Sequence, residues 1–192
     1  MMTSSPSLDI EILPPEASSD TVLMAQIAEL VNRVYAASED GQWLPGATRT
    51  TASEIAEFTR AREIIVASIS GVLVGSIRVQ LLTPERGESG MLVSDPDRRN
   101  MGIGRELRRF TIDMLREQGV KTLQIELLVP RDWDQASKQF MAEWNERSGY
   151  QVVRKGAFEE QYPDLAPLLA TPCDFIIYEK DIQNLRTQRS AG

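Results

Sequence analysis

Histidine is absent from the 192 residues, and cysteine occurs once, at position 173. The first absence excludes imidazole as acid, base or metal ligand, and with it Ser-His-Asp triads, Cys-His pairs and His-ligated zinc. No metal is expected, and chemistry must use carboxylates, hydroxyls, amines, backbone dipoles or water. A lone cysteine cannot close an internal disulfide, so nothing calls for an oxidising compartment and a cytoplasmic location is expected. Lacking an evident partner base, Cys173 reads as a buried small hydrophobe rather than a nucleophile.

Positive charge is also scarce. No lysine or arginine precedes Arg33, and 21 basic against 28 acidic side chains leave a net charge of −7. Such a chain has no generic hold on phosphate backbones, so nucleic acid is not an expected partner; a cationic small molecule would be steered in, and the acidic balance equally serves solubility. The opening Met-Met-Thr-Ser-Ser-Pro lacks the basic start and apolar stretch of a secretory leader. The longest uncharged run, Ile64 to Ile77, falls short of the roughly 20 residues that cross a bilayer, so no membrane partner is expected.

What is present is a composition of 42% hydrophobic and 26% charged residues, the balance of a globular protein. The length suits one domain over residues 1–192 with an ordered core of about 9–182. Polar, small ends at Met1–Ser7 and Gln188–Gly192 are expected to be loose.

Helices and strands alternate between those ends. Ile10 to Leu13 suits a short strand stopped by Pro14-Pro15. Asp20 caps a helix to about Ala37, with Leu23, Ile27, Leu30, Val31 and Val34 inward. Ser38 to Arg49, with Gly41, Pro45 and Gly46, has no periodicity and predicts a surface loop. Thr51-Ala52-Ser53-Glu54 is a capping box opening a helix with Ile55 and Phe58 inward. Strands at Glu63–Ile69 and Val72–Leu82 flank a Ser70-Gly71 turn, and Glu88–Val93 follows a Pro84–Gly87 turn, predicting a meander.

Downstream, Leu107, Phe110, Met114 and Leu115 recur at helical spacing from Gly104 to Gln118, with Gly119 as the stop. Leu123, Ile125 and Leu127 alternate with polar residues as in a half-buried strand. Ser137 to Arg147 predicts a helix with Phe140, Met141 and Trp144 on its inner side. Tyr150–Val153 and Phe175–Tyr178 suit two last strands around an insertion with a short helical turn.

The chemistry-bearing segment runs from Met91-Leu92-Val93 through Ser94-Asp95-Pro96-Asp97-Arg98-Arg99-Asn100-Met101 into Gly102-Ile103-Gly104-Arg105. It predicts a strand, a turn and a helix N-terminus, where unpaired N–H groups and the helix dipole favour an anion. Gly102 and Gly104 allow close approach to the main chain, and Arg98, Arg99 and Arg105 add positive charge. Two glycines before a helix also serve tight packing. A dinucleotide fingerprint would need a further glycine where Leu107 stands, and no Gly-Lys-Ser/Thr phosphate loop is present.

Arg99-x-x-Gly102-x-Gly104 resembles the Arg/Gln-x-x-Gly-x-Gly/Ala signature of the GNAT acetyltransferases. Val74-Gly75-Ser76-Ile77-Arg78-Val79 is similar to that family's third strand, and Leu92-Val93 with Pro96 to the strand entering the signature. Trp144-Asn145-Glu146-Arg147-Ser148-Gly149-Tyr150 resembles its Phe/Leu-Tyr-Glu-Lys-x-Gly-Phe segment, and the likeness spans about residues 9 to 180. The resemblance implies an α/β (α+β) GNAT fold: a mixed central sheet of about six to seven strands flanked by helices and splayed between the fourth and fifth strands.

It also implies acetyl-CoA as co-substrate. The pantetheine arm would pair with main-chain groups of Met91, Leu92 and Val93, and the diphosphate would lie on the amides from Asn100 through Met101, Gly102, Ile103 and Gly104 to Arg105. The expected reaction is acetyl transfer to a primary amine of a small molecule by direct attack. An alkyl ammonium with a pKa near 10.4 must first lose a proton. Glu88 is the expected base by its place on the strand before the loop, with Glu126 second, although Glu88 equally suits a solvated strand edge, and the Val93 N–H would hold the oxyanion.

Where family members carry a tyrosine acid, this chain has Asn145. A thiol of pKa about 8.5 can nonetheless leave as thiolate. Tyr150 or water would be the substitute acid, although Tyr150 better matches the family's packing aromatic. Glu39 and Trp43, in the loop Glu39-Asp40-Gly41-Gln42-Trp43, suit a cationic acceptor, as does Glu126; Trp43 equally suits a cover for the sheet. The insertion at Tyr162–Leu169 either walls the acceptor site or forms a homodimer contact. Two alternatives stand beside the amine acetyltransferase: a catalytically silent CoA-binding sensor or scaffold, and an acyltransferase using another acyl group or an oxygen acceptor.

Overall fold

The computed structural model describes residues 7–183. Most of both expected loose ends lies outside them. The elements are β1 (Leu8–Ile12), α1 (Thr21–Ser38), α2 (Ala52–Arg60), β2 (Ile64–Ile69), β3 (Val72–Thr83) and β4 (Arg86–Ser94). There follow α3 (Ile103–Glu117), β5 (Thr122–Pro130), α4 (Ala136–Arg147), β6 (Gln151–Ala157), α5 (Phe158–Gln161) and β7 (Cys173–Asp181). Seven strands form one hydrogen-bonded sheet in the order β1-β2-β3-β4-β5-β7-β6. The sheet is mixed, because β4 and β5 are parallel while β1–β2, β2–β3, β5–β7 and β6–β7 are antiparallel. The α/β class and the seven-stranded, helix-flanked sheet agree with the expectation.

By internal contacts the chain divides into two compact units. The first comprises the residues up to Val34, Thr48–Gln80 and Gly90–Met114; the second comprises Tyr35–Ala47, Leu81–Ser89 and the residues from Leu115 onward.

In the first unit, α1 starts because the Asp20 carboxylate accepts the Val22 and Leu23 N–H groups at 3.1 and 3.0 Å. Its buried stripe is Met24, Ile27, Ala28, Leu30 and Val31. Leu23 and Val34 are only half-buried, so the inner face lies nearer Met24 than the periodicity suggested. The capping box on α2 is present, with Thr51 and Glu54 each satisfying the other's N–H. Ser70 and Gly71, both at positive φ (52° and 77°), turn β2 into β3 as a two-residue hairpin requires. The turn before β4 is tighter than expected, since β4 begins at Arg86.

In the second unit, β5 pairs with all nine residues of β7, from Thr122–Asp181 to Pro130–Cys173. The core includes Leu115, Val120, Leu123, Tyr150, Phe175 and Tyr178. Gly119 and Gly149, both at φ 85°, end α3 and α4 in the left-handed geometry that glycine adopts without a Cβ clash. Two expectations fail here. Phe140 is 59% exposed, and the buried residues of α4 are Lys138 and Asn145. The stretch after Ser38 is no plain surface loop either, because Glu39 and Gln42 are buried. Both reversals have one cause: polar groups that find partners across the unit can be buried, and apolar periodicity does not register them.

Candidate functional site

The segment expected to hold an anion belongs to the first unit. Within β4, Met91 adopts φ 49°, an uncommon conformation for a residue with a side chain. The parallel register of β4 with β5 ends at Ser89–Ile125, two residues before it, although both strands run on. This is where the expected splay of the fourth and fifth strands falls, and a non-glycine residue held in the left-handed region is a recurrent mark of functional backbone. Met91 and Val93 are buried, and Leu92 is half-buried.

After β4, the Asp95 N–H donates to the Val74 carbonyl at 2.8 Å, and Pro96–Arg98 form one 3-10 turn. Asn100 and Gly102 then take positive φ (64° and 72°) and bring the chain onto the axis of α3. Glu106 N–H bonds the Gly102 carbonyl, so the N–H groups of Ile103, Gly104 and Arg105 precede the first intrahelical bond. They form the positive end of a fifteen-residue helix. Gly75 on β3 lets that end sit low. A Cβ there would meet Ile103 Cγ2 at 2.8 Å, and Leu107 Cδ1 and the Val93 carbonyl oxygen at 3.0 Å.

The three arginines of the motif differ. Arg105 is exposed and lies beside Gly102, where a Cβ would stand 3.1 Å from its Nη2. Arg99 is exposed and donates to the Pro96 carbonyl at 3.3 Å. Arg98 turns back, with Nε 3.6 Å from Asp95 Oδ2. Met101 is 48% exposed, on the outside of the turn. Arg105 Nε also lies 3.4 Å from Glu106 Oε1; a glycine cradle, helix-start amides and the exposed guanidinium groups of Arg99 and Arg105 suit a diphosphate.

The candidate carboxylates are in the second unit. Glu88 is half-buried on β4, opposite Gln124 of β5, whose Nε2 donates to Glu88 Oε2 at 2.7 Å. Glu126, two residues on along β5, accepts a short hydrogen bond from the Tyr162 hydroxyl. Tyr162 belongs to the insertion and packs on Phe158 and Phe175, with ring centroids 5.1 and 6.4 Å away. Trp43 meets Phe158 edge-on at 5.8 Å, and an isolated bridge joins it to Leu169.

Glu39 is committed within the protein. Its Oε1 accepts from Lys138 Nζ and its Oε2 from Trp43 Nε1, both at 2.7 Å. The pair is almost fully buried, at 8% and 6% side-chain exposure for Lys138 and Glu39. Around it, Gln42 Nε2 bonds Gln135 Oε1 and Ser137 Oγ bonds the Ser38 carbonyl at 2.7 Å. Lys138 lines a cleft of about 450 Å³ with Arg131, Trp133, Gln135 and Lys155. Asp174 first, then Glu159, raises the Arg131 pKa by hydrogen bonding.

Lys138 and Gly75 were not singled out as site residues from sequence. Gly75 carries a legible sign, a glycine inside a β-branched run. Lys138 has only its seven-residue spacing from Asn145, two turns along one helix face. Burial pushes the Cys173 thiol up to about 11, which suits packing rather than nucleophilic use. Tyr150 is buried at 2% exposure.

A model of the acetyltransferase (GNAT) family matches residues 26–156. No curated protein matches the sequence. Among solved structures, the fold is shared with yncA of Salmonella typhimurium, determined with its cofactor acetyl-CoA. The TM-score is 0.63 at 14% identity, over 96% of this chain and 99% of that one. N-acetylglutamate synthase of Neisseria gonorrhoeae, complexed with coenzyme A and N-acetyl-glutamate, aligns with a TM-score of 0.61 at 18% identity, over 93% of this chain and 36% of that one. An aminoglycoside 6'-acetyltransferase type Ii aligns with a TM-score of 0.61 at 21% identity, over 91% and 97%.

Proposed function

Because the chain belongs to the GNAT acetyltransferase family, we propose that it moves an acetyl group from acetyl-CoA to a primary amine of a small molecule. The observation that carries this reading is the platform from Met91 to Arg105: a strand with one left-handed residue, a glycine turn and the uncommitted amides of α3. The amides from Asn100 to Arg105, with Arg99 and Arg105, bind the diphosphate, and Arg98 lends charge from its bond to Asp95. Main-chain groups of Met91, Leu92 and Val93 hold the pantetheine arm. Bound acetyl-CoA supplies an activated thioester.

The acceptor arrives as an ammonium and must be deprotonated before it attacks. Glu88 serves as base, held by Gln124 on a rigid strand, and takes that proton directly or through a water. Val93, five residues along the same strand, presents its N–H to the carbonyl oxygen as negative charge builds there. Glu126 and Trp43 contribute to acceptor binding, and Glu39 does so by orienting Trp43 and Lys138. Asn145 is buried and no acid, so the sulfur departs as thiolate, which its pKa near 8.5 allows, and the second proton of the attacking nitrogen passes to water as the C–S bond breaks.

The test is calorimetric titration with acetyl-CoA of the wild type and of Gly102→Trp, with free thiol followed as amines are added. Binding by the wild type alone, with amine-dependent thiol release, is the expected result. No binding by a folded wild type would sink the reading. Binding without thiol release from any amine or alternative acyl-CoA favours a silent CoA sensor, the second reading, which Asn145 in place of a tyrosine supports.

A further inference from the structure

The turn that feeds the anion platform contains an electrostatic contradiction. Asp95 and Asp97 lie within four residues of Arg99, beside a site read as binding a diphosphate. Two uncompensated carboxylates there would repel that ligand and compete for the arginines. The compensation comes from α1, whose one basic residue is Arg33. Its Nη2 lies 2.9 Å from Asp95 Oδ1 and its Nη1 3.7 Å from Asp97 Oδ2, so one guanidinium spans both acids.

Asp95 is the hub of the turn. Its Oδ1 also accepts the Asp97 N–H at 3.2 Å, its carbonyl accepts the Arg98 N–H at 3.0 Å, and its own N–H holds β3 through Val74 at 2.8 Å. Its Oδ2 faces Arg98 Nε at 3.6 Å. With Arg33 on Oδ1, Asp95 does not depend on Arg98 alone for neutralisation. The Asp95 side chain is 17% exposed and the Arg33 side chain 50%, so the pair works at a half-screened surface where an ion pair adds little to folding.

We infer that Arg33 is a positioning residue for acyl-CoA: it masks Asp95 and Asp97 and holds the Asp95–Arg98 turn in its diphosphate-ready form without touching the ligand. This rests on the reading of Met91–Arg105 as the CoA platform. Because the pair is weak for stability, folding and affinity respond differently to its loss.

The experiment measures CoA affinity by calorimetry at low and high salt, with thermal unfolding alongside, for the wild type, Arg33→Gln, Arg33→Lys and Arg33→Gln/Asp97→Asn. Arg33→Gln is expected to weaken CoA binding about fivefold at low salt, with a smaller effect at high salt and little change in unfolding midpoint. Arg33→Lys keeps the charge and restores most of the affinity. Removing the unmasked Asp97 charge in the double variant restores part of it. Wild-type affinity in Arg33→Gln, or a loss that neither Arg33→Lys nor the double variant recovers, overturns the inference and leaves the CoA platform standing. Failure of the folded wild type to bind CoA overturns both.

Discussion

The two compact units assemble their candidate site groups in opposite ways. In the first, the platform is assembled mostly from neighbours in sequence: Asp95 to Pro96–Arg98, Gly102 to Arg105, Asn100 to α3. Its long-range contributions include Gly75 and the Val74 carbonyl on β3 and Arg33 on α1. In the second, Glu39 and Lys138 are 99 residues apart, and Gln42 reaches Gln135 across 93. A site of main-chain amides needs a backbone path, which glycines and turn residues write locally. A site of buried side-chain charges needs partners, which only the folded chain brings together.

The sharpest test of that difference is Lys138→Met. It leaves the Glu39 carboxylate buried beside an apolar chain, and a broken buried pair costs about 3–5 kcal/mol. Chemical denaturation should show a loss of that size, and adding Glu39→Gln should recover a large part of it. If Lys138→Met unfolds like the wild type, the buried network does not organise the second unit.

In the first unit the corresponding change is Gly75→Ala. Its Cβ would stand 2.8 Å from Ile103 Cγ2 and 3.0 Å from a backbone oxygen, so the start of α3 must shift. Overpacking of this kind costs about 1–3 kcal/mol, and CoA affinity should fall with it. Unchanged affinity and stability would mean that the helix end is not held by this contact.

A smaller effect concerns pH. Burial raises Cys173 to about 11 and also raises Tyr178. Both acids ionise more readily unfolded, so their contribution is complete below the unfolded thiol pKa, near 9, and is lost as pH rises towards about 11. Unfolding midpoints should therefore decline over that window, more in the wild type than in Cys173→Ala, and native Cys173 should resist alkylation at pH 8. Equal decline in both proteins would remove Cys173 from the account. Smallest of all, Phe140→Ser should alter stability by no more than about 0.5 kcal/mol, because the ring is exposed. A loss of several kcal/mol on denaturation would return Phe140 to a packed role.

Much of the first unit was legible in advance for these reasons. Asp20, Thr51-Glu54, Ser70-Gly71 and Gly102-Ile103-Gly104 each act within a few residues, through caps, turns and left-handed backbone whose chemistry depends on residue type alone. Alternation along Thr122–Leu127 likewise marked β5, because a strand with an apolar core side repeats every two residues. On α4 the same logic misled. Its apolar residues Phe140 and Met141 are exposed and half-buried, while Lys138 is buried because Glu39 neutralises it.

The sequence by itself therefore determined the order of strands and helices, the glycine turn before α3 and the family to which the chain belongs, since each rests on short-range spacing. Only the tertiary structure decided that Arg33 masks two acids beside that turn, that Glu39 is bound internally and that Tyr162 meets Glu126. These are pairings of charged or polar groups distant in sequence. Their strength depends on distance and local dielectric, quantities that exist only once the chain has folded.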